Sequence, residues 1–454
     1  MTSTGSHERH RPILRNRPLL TLMLGHFTLD MYVGLLPVLY PLLIDRFALT
    51  FRTVGLVSLA YSGMASISQP FFGWLADRFG TRFIGLALIW TATLFATIGF
   101  APSFPLLVLL AAVAGLGSGA YHPFGALSAK AVIPAAQRNT AMSVYVTGGT
   151  LGVALGPLIG AVLFSAFGIH GTALMFLPGI GSALWLLYEL RVVLGRRDAA
   201  TPRVQVSHPP VPIVPLIAVL GVMMSRTWTV ISLEAYVPAW YKVLGYGPAF
   251  YGPLATTIVL ASAVGNVGAG SLADRYGRQA VIIGTLVLSI PVLLLFAQFP
   301  GPSAFVTGAL VGLLAASTGP LMLVMAQELM AGRAGMASGL VLGLGFVTGA
   351  IGVPVTGAVA DAFGMQVAMR LQVILVIATI GLALLLPGEA RLRALQREDT
   401  QANGTEPTGS AADVSFTAPG GDAMATSSHP SAPSRASGAR SHRQRDGAAD
   451  RGPL

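Results

Sequence analysis

GWLADRFG at residues 73–80 returns as GSLADRYG at residues 270–277, and each copy closes a long apolar run. An Asp-Arg pair followed by a glycine is a loop signal. Meeting it twice at an offset of 197, each time after the same kind of run, predicts a duplicated architecture. The rest of the chain extends this register. Pro41 meets Pro238 and Pro123 meets Pro320 at the same offset, and near an offset of 195 Arg138 and Ser143 meet Arg333 and Ser338.

Composition fixes the solvent. The chain has 454 residues, 53% hydrophobic and only 10% charged, whereas a soluble domain carries roughly a quarter charged residues. The reading is an all-α membrane protein. The net charge of +10 does not point to nucleic acid: the stretch 388–454 holds as many acids as arginines, so the surplus belongs to the stretch 1–387, where charge clusters between apolar runs. With no cysteine there is neither a disulfide framework nor a thiolate metal site. No Gly-Lys dipeptide occurs, which excludes a Walker A loop. No cofactor is expected, and an ion gradient is the expected energy source.

Apolar stretches of roughly 20 residues, enough to cross the hydrocarbon core, fall near 18–43, 53–76, 83–101, 104–129, 140–167, 172–194, 212–240, 249–272, 280–298, 303–327, 335–361 and 367–387. Twelve spans put both termini on one side. With the N-terminus in the cytoplasm, fifteen Lys and Arg fall in inner segments, among them Arg78, Arg82, Lys130, Arg275 and Arg278. Only Arg46, Arg52, Lys242 and Arg370 fall outside, as the positive-inside rule requires. The expected place is a bacterial inner membrane with both termini cytoplasmic. The first span is too long for a signal-peptide core, so it is expected to be retained. The expected organisation is a basic N-terminus (1–17), a six-helix bundle (18–194), a linker (195–211), a second bundle (212–387) and a tail (388–454), whose polar, Pro- and Gly-rich composition reads as disordered. Parallel repeats of this kind are related by a pseudo-two-fold axis along the membrane normal, with a site between them at the midplane.

GWLADRFGTR and GSLADRYGRQ resemble the loop motif of the major facilitator superfamily, Gly-x-x-x-Asp-Arg-x-Gly-Arg-Arg. The resemblance implies the major facilitator fold, with Asp77, Arg78 and Arg82 in a latch between spans 2 and 11, and Asp274, Arg275 and Arg278 in its counterpart between spans 8 and 5. An aspartate in such a latch can sit against a helix N-terminus, where the dipole favours negative charge. Thr81 and Gln279 stand where that pattern has a basic residue. A narrower resemblance rests on HFTLDM (26–31), YPLLIDRFALT (40–50), YHP (121–123), VTGGTLGVALGPL (146–158) and AQELMAGRAGMASG (326–339). These segments are similar to the fosmidomycin-resistance family of drug exporters, which implies export of small anionic phosphonates. Gly148, Gly152, Gly156 and Pro157 resemble the antiporter motif Gly-x-x-x-Gly-Pro-x-x-Gly-Gly, with Ala161 in place of its last glycine. Glycines four apart form a groove for a neighbouring backbone, and ordinary tight packing is the other reading of them.

Ionisable residues inside the spans are costly and mark function. His26 and Asp30 lie one turn apart, on one face of the first span. The repeat carries Asp30 to Thr227, next to Arg226. A buried Asp30–Arg226 pair is therefore expected, with a substrate-only role for Arg226 as the alternative. Glu234 lies further along the same span, more than two helical turns from Arg226, and reads as a second proton acceptor or a solvated carboxylate at a cavity mouth. His122 sits between Tyr121 and Pro123, whose bend would aim the imidazole inward. Glu328 is placed to meet Arg275 or Arg278, while Lys130, nearly its repeat equivalent, has the wrong sign for that job. Trp228, Tyr236 and Trp240 are the candidates for holding an amphipathic drug, the competing cargo, with interface anchoring or packing as their other reading.

No metal-ligand cluster and no nucleophile-base pair stands out, so neither a metal site nor an enzyme is expected. The expected partners are protons, a small-molecule substrate and the lipid bilayer, with a monomeric chain. The favoured function is proton-coupled efflux by alternating access; the alternatives are a proton-coupled importer of a small organic anion and a non-transporting receptor.

Overall fold

The computed structural model describes residues 16–132, 138–191, 211–315, 317–330, 334–392 and 394. Nearly all of the expected N-terminal segment, linker and tail lies outside them, as do Arg333 and the side chains of Asp77 and Lys130.

The described residues are helical, with no strand among them. The first half holds α1 (Arg17–Phe47), α2 (Phe51–Phe79), α3 (Ile84–Ile98), α4 (Phe104–Ala131), α5 (Arg138–Phe167) and α6 (Phe176–Leu190), with a 3-10 helix (Gly168–Met175) leading into α6. The second holds α7 (Ile213–Val243), α8 (Pro248–Tyr276), α9 (Arg278–Gln298), α10 (Ala304–Ala315), α11 (Gly319–Leu329), α12 (Ala334–Phe363) and α13 (Met365–Ala383). Nine described helical stretches are long and apolar enough to cross a membrane. Their outer faces carry exposed Val162, Val214, Val267 and Ile374, as lipid contact demands.

Local chemistry sets the boundaries. α1 starts at Asn16, whose side chain accepts from the Leu19 amide, with Pro18 in the first turn; both are favoured at a helix start. α2 starts at Thr50, whose hydroxyl accepts from the Thr53 amide 3.2 Å away. The duplicated octapeptide ends both α2 and α8: Gly80 has φ +74° and Gly277 φ +86°, values that exclude most side chains. Its last glycine is therefore a helix stop in each half.

Packing repeats as the sequence does. α1 lies along α5 and α2 along α4; in the second half α7 lies along α12 and α8 along α10. The α2–α4 contact is close because a Cβ on Gly115 would fall 3.0 Å from the Tyr61 carbonyl carbon. Gly312 stands in the same relation to Ile258, again at 3.0 Å and at the repeat-equivalent position. The halves meet through α2 with α12, α5 with α8, and α1 with α7. The end of the bundle where α1 and α7 begin is the terminal end, and the one where they finish is the distal end.

Eleven of the expected spans each appear as one α-helix among the described residues. The tenth, expected over 303–327, is two helices: α10 stops at Ala315, and α11 starts at Gly319 with Pro320 in its first turn. Pro123, at the equivalent place, stays inside a continuous α4.

Candidate functional site

The polar centre of the first half joins α1 and α4. Asp30 Oδ2 lies 3.2 Å from His26 Nε2, one turn earlier on α1. Its other oxygen, Oδ1, lies 3.4 Å from His122 Nε2 on α4. The His26 and Asp30 side chains are 7% and 12% exposed and His122 is 32% exposed, so the cluster is reached from the His122 side. Each ring is fixed from behind: His26 Nδ1 is 2.9 Å from the Tyr145 carbonyl and His122 Nδ1 is 2.8 Å from the Ser118 carbonyl. A carbonyl only accepts, so both Nδ1 atoms carry hydrogen. His26 also stacks on the Tyr145 ring, centroids 4.3 Å apart.

This arrangement has a proton count. With both Nδ1–H groups committed, a neutral imidazole turns a bare lone pair toward Asp30, and so does the ionised carboxylate. Each of the two Nε2–oxygen contacts becomes attractive only when a proton sits on one of its atoms. The fully bonded cluster therefore holds two protons beyond the neutral rings and ionised Asp30. Gly149 on α5 backs the cluster; a Cβ there would fall 2.6 Å from His26 Nε2 and collide with Asp30.

The expected Asp30–Arg226 pair is not formed. Asp30 is engaged by the two histidines, and Arg226 sits against α11, where a Cβ on Gly319 would lie 3.3 Å from its guanidinium nitrogens. The reason is angular. The repeat equates Asp30 with Thr227, and a one-residue difference turns a side chain by about 100° around its helix. Glu234, further along α7, contributes to the field at Arg226. Glu234 lines an apolar cavity of about 170 Å³ between the halves, with Ser58, Ser62, Val153, Pro157 and Phe346. The aromatics expected to face a drug are engaged elsewhere: Tyr236 and Trp240 are buried in packing, and Trp228 Nε1 donates to Thr356 Oγ1 at 3.2 Å.

Among the described residues, no contact of these basic loop residues crosses between the halves. Arg78 lies over Trp74 and Phe79, Arg82 over Phe83 and Arg275 over Tyr276. Arg278 makes a forked pair with Glu328 at 2.7 and 2.8 Å and reaches Glu389 at 3.4 Å, with Asp274 contributing to its field. This joins Glu328 to one of its two expected partners, but within the second half. The halves are tied at the distal end instead. Asp361, at the end of α12, accepts from the Phe51 and Arg52 amides at 2.7 and 2.9 Å, capping α2 across the interface. Tyr236 donates to the Phe51 carbonyl at 2.8 Å, and Lys242 pairs with Asp45 and donates to the Pro41 carbonyl.

The α5 glycines seat α1. Gly148 faces the Met23 backbone, Gly152 would place a Cβ 2.9 Å from the Met31 nitrogen, and Gly156 2.7 Å from the Gly34 Cα. Pro157 exposes its carbonyl toward Gly252 of α8, 3.0 Å from a Cβ there. The sequence reading missed three elements: the seat at Gly149, the cap from Asp361, and the Asp45–Lys242 pair. Only the last had a signal, since its members stand at the repeat offset of 197.

The family model of the Major Facilitator Superfamily matches residues 22–259 and 216–420. An uncharacterized MFS-type transporter, YfnC, of Bacillus subtilis (strain 168) is 30% identical over 388 residues, covering 81% of this chain and 92% of that protein. The fosmidomycin resistance protein of Escherichia coli (strain K12) is 28% identical over 360 residues, covering 77% and 87%. The multidrug resistance protein MdtG of Enterobacter lignolyticus (strain SCF1) is 26% identical over 399 residues, covering 83% and 88%. Among solved structures, a bacterial homolog of the human lysosomal transporter Spinster, in an inward-facing and occupied conformation, has a TM-score of 0.66 at 17% identity, covering 86% of this chain and 98% of that one.

Proposed function

Since the chain belongs to the major facilitator superfamily, we propose that it is a proton-coupled exporter of small anionic drugs or metabolites, seated in a bacterial inner membrane with both termini cytoplasmic. The observation that carries the coupling is the clamp on Asp30: two histidines held through Nδ1 by carbonyls, each aiming Nε2 at a different carboxylate oxygen. Such a cluster loads and unloads protons in steps, and a buried, partly accessible carboxylate is where a transporter keeps that capacity.

Arg226 supports an anionic cargo. A guanidinium fork suits phosphonate or carboxylate oxygens. It also lies beside the first turn of α11, where the helix dipole favours negative charge. A half-helix opening at the midplane is a recurring way for transporters to hold a charged group. Kinship to a fosmidomycin resistance protein agrees with a phosphonate. In the proposed orientation the distal end faces outward, so the ties through Asp361, Tyr236 and Lys242 close the outer side and leave the inward-facing state. Protons arriving from outside fill the Asp30 cluster, the halves rock, and release inward lets substrate take Arg226.

Everted membrane vesicles test this. An imposed inside-acid gradient should drive uptake of labelled fosmidomycin, and Asp30→Asn should abolish that uptake with normal insertion. Gradient-driven movement in the opposite direction would make the protein an importer; undiminished uptake by Asp30→Asn would remove the cluster from coupling.

A further inference from the structure

The proton reading treats His26, Asp30 and His122 as bases. The same three side chains have a second chemistry, since their ligating atoms all lie within 4.8 Å of one another. We propose that they form a binding site for a transition-metal dication of the zinc class.

Four observations carry this. First, zinc-to-nitrogen and zinc-to-oxygen bonds of about 2.0–2.1 Å in a tetrahedron place neighbouring ligands about 3.3–3.4 Å apart. The two Nε2–oxygen contacts, one to each carboxylate oxygen, measure 3.2 and 3.4 Å. With one ligand atom from each residue all three lie within 4.8 Å of one another, so a small turn of the carboxylate that brings one oxygen to both rings closes the site. Second, the tautomers are already set. Both Nδ1–H groups point at carbonyls, so each neutral ring offers its Nε2 lone pair to the common centre. An Nδ1–H held by a backbone carbonyl is the usual outer partner of a metal-bound histidine. Third, Gly149 puts no side chain against Asp30 Oδ2 and His26 Nε2, where a Cβ would collide with both. Fourth, access exists on the His122 side, 32% exposed, which leaves a fourth position for water or an anion.

Two imidazoles and one carboxylate select the metal class. Imidazole suits zinc, cobalt, nickel and copper(II), whereas magnesium and calcium prefer all-oxygen sites and copper(I) prefers sulfur. Binding balances in protons: the metal takes the Nε2 lone pairs and the carboxylate, and whatever protons those atoms held leave to water. Metal and protons thus compete for the same three atoms. The cluster was not legible in the sequence, because His122 and Asp30 lie on separate spans and only the α1–α4 contact brings them together.

The inference goes beyond proton coupling, and its readout is binding, so either can fail without the other. Tag-free full-length protein in detergent is titrated with Co²⁺ while its visible absorption is recorded. The expected result is one equivalent bound with the intense bands of a four-coordinate site, displaced by Zn²⁺. His26→Gln and His122→Gln, each verified as folded by thermal melting, should each weaken binding by at least the roughly 10- to 100-fold that loss of an outer partner alone costs. His170→Gln, which removes an exposed histidine in the distal 3-10 helix, should leave the titration unchanged. Absence of the bands, or parent-like affinity in either folded variant, would overturn the proposal.

Discussion

At position 122 the first half carries a histidine that reaches Asp30; at the repeat-equivalent position 319 the second half carries glycine, and Arg226 lies against it. Both positions precede a proline, Pro123 and Pro320, yet α4 runs through its proline while the second half breaks into α10 and α11. One backbone plan thus holds a histidine–aspartate cluster on one side and an arginine on the other. The packing beneath follows the same division. Gly148 and Gly152 bring α5 against the main chain of α1, whereas the nearest neighbours of Gly345, Gly349 and Gly352 of α12 are the side chains of Met223, Thr227, Ile231 and Trp228 on α7. α1 and α5 of the first half are clamped backbone to backbone, and α7 and α12 of the second are cushioned by side chains.

The contrast can be broken most directly at Asp30. Per coupled charge, a potential of about 100 mV supplies about 2.3 kcal/mol, close to a fifty-fold gradient. Asp30→Asn is expected to lose the whole of the proton-driven accumulation while retaining counterflow of labelled substrate in proteoliposomes, because Arg226 is untouched. Loss of counterflow as well would mean that the two halves do not divide the work.

A smaller effect sharpens the packing comparison. Gly152→Ala forces a methyl to 2.9 Å from the Met31 nitrogen, and such overpacking costs about 1–3 kcal/mol. Gly349→Ala meets only the movable ends of Ile231 and Thr227. Melting in detergent should fall clearly for the first variant and by less for the second; equal losses would erase the distinction.

Next comes the distal tie. Asp361→Ala removes a cap that α2 borrows from the opposite half, worth about 0.5–2 kcal/mol. The native chain has no cysteine, so a Ser62→Cys probe in the cavity reports alone. Its labelling from the distal side by an impermeant maleimide should rise roughly 2- to 30-fold if that energy holds the end shut.

The smallest effect belongs to Asp45 and Lys242, whose side chains are 62% and 33% exposed. Either single neutralisation should cost about 0.2–1 kcal/mol. Exchanging the two residues, Asp45→Lys with Lys242→Asp, should restore most of the loss in a melting measurement, since equivalent positions are interchangeable in geometry.

Much of this was legible because lipid is a strict solvent. Span lengths, the halves and the octapeptide stops at Gly80 and Gly277 follow from apolar length and from glycine's tolerance of positive φ. The His26–Asp30 contact follows from four-residue spacing. What escaped depended on rotation and register. The repeat offset fixed the depth of Arg226 but left its direction open. Pro123 and Pro320 stand at equivalent places, yet one lies in a continuous helix and the other opens a new one after a break, and the prolines themselves do not tell the two apart. Asp361 reads as the last residue of the span 335–361, and nothing in the sequence pairs it with the start of α2.

The Asp45–Lys242 contact also records history. In a symmetric homodimer of single bundles, a residue on the two-fold axis faces its own copy. There an aspartate would oppose an aspartate and a lysine a lysine, and either would push the subunits apart. Opposite signs at one structural address exist only where the two copies are encoded separately. That salt bridge is a bond available to two halves encoded separately, and closed to a symmetric pair of identical bundles.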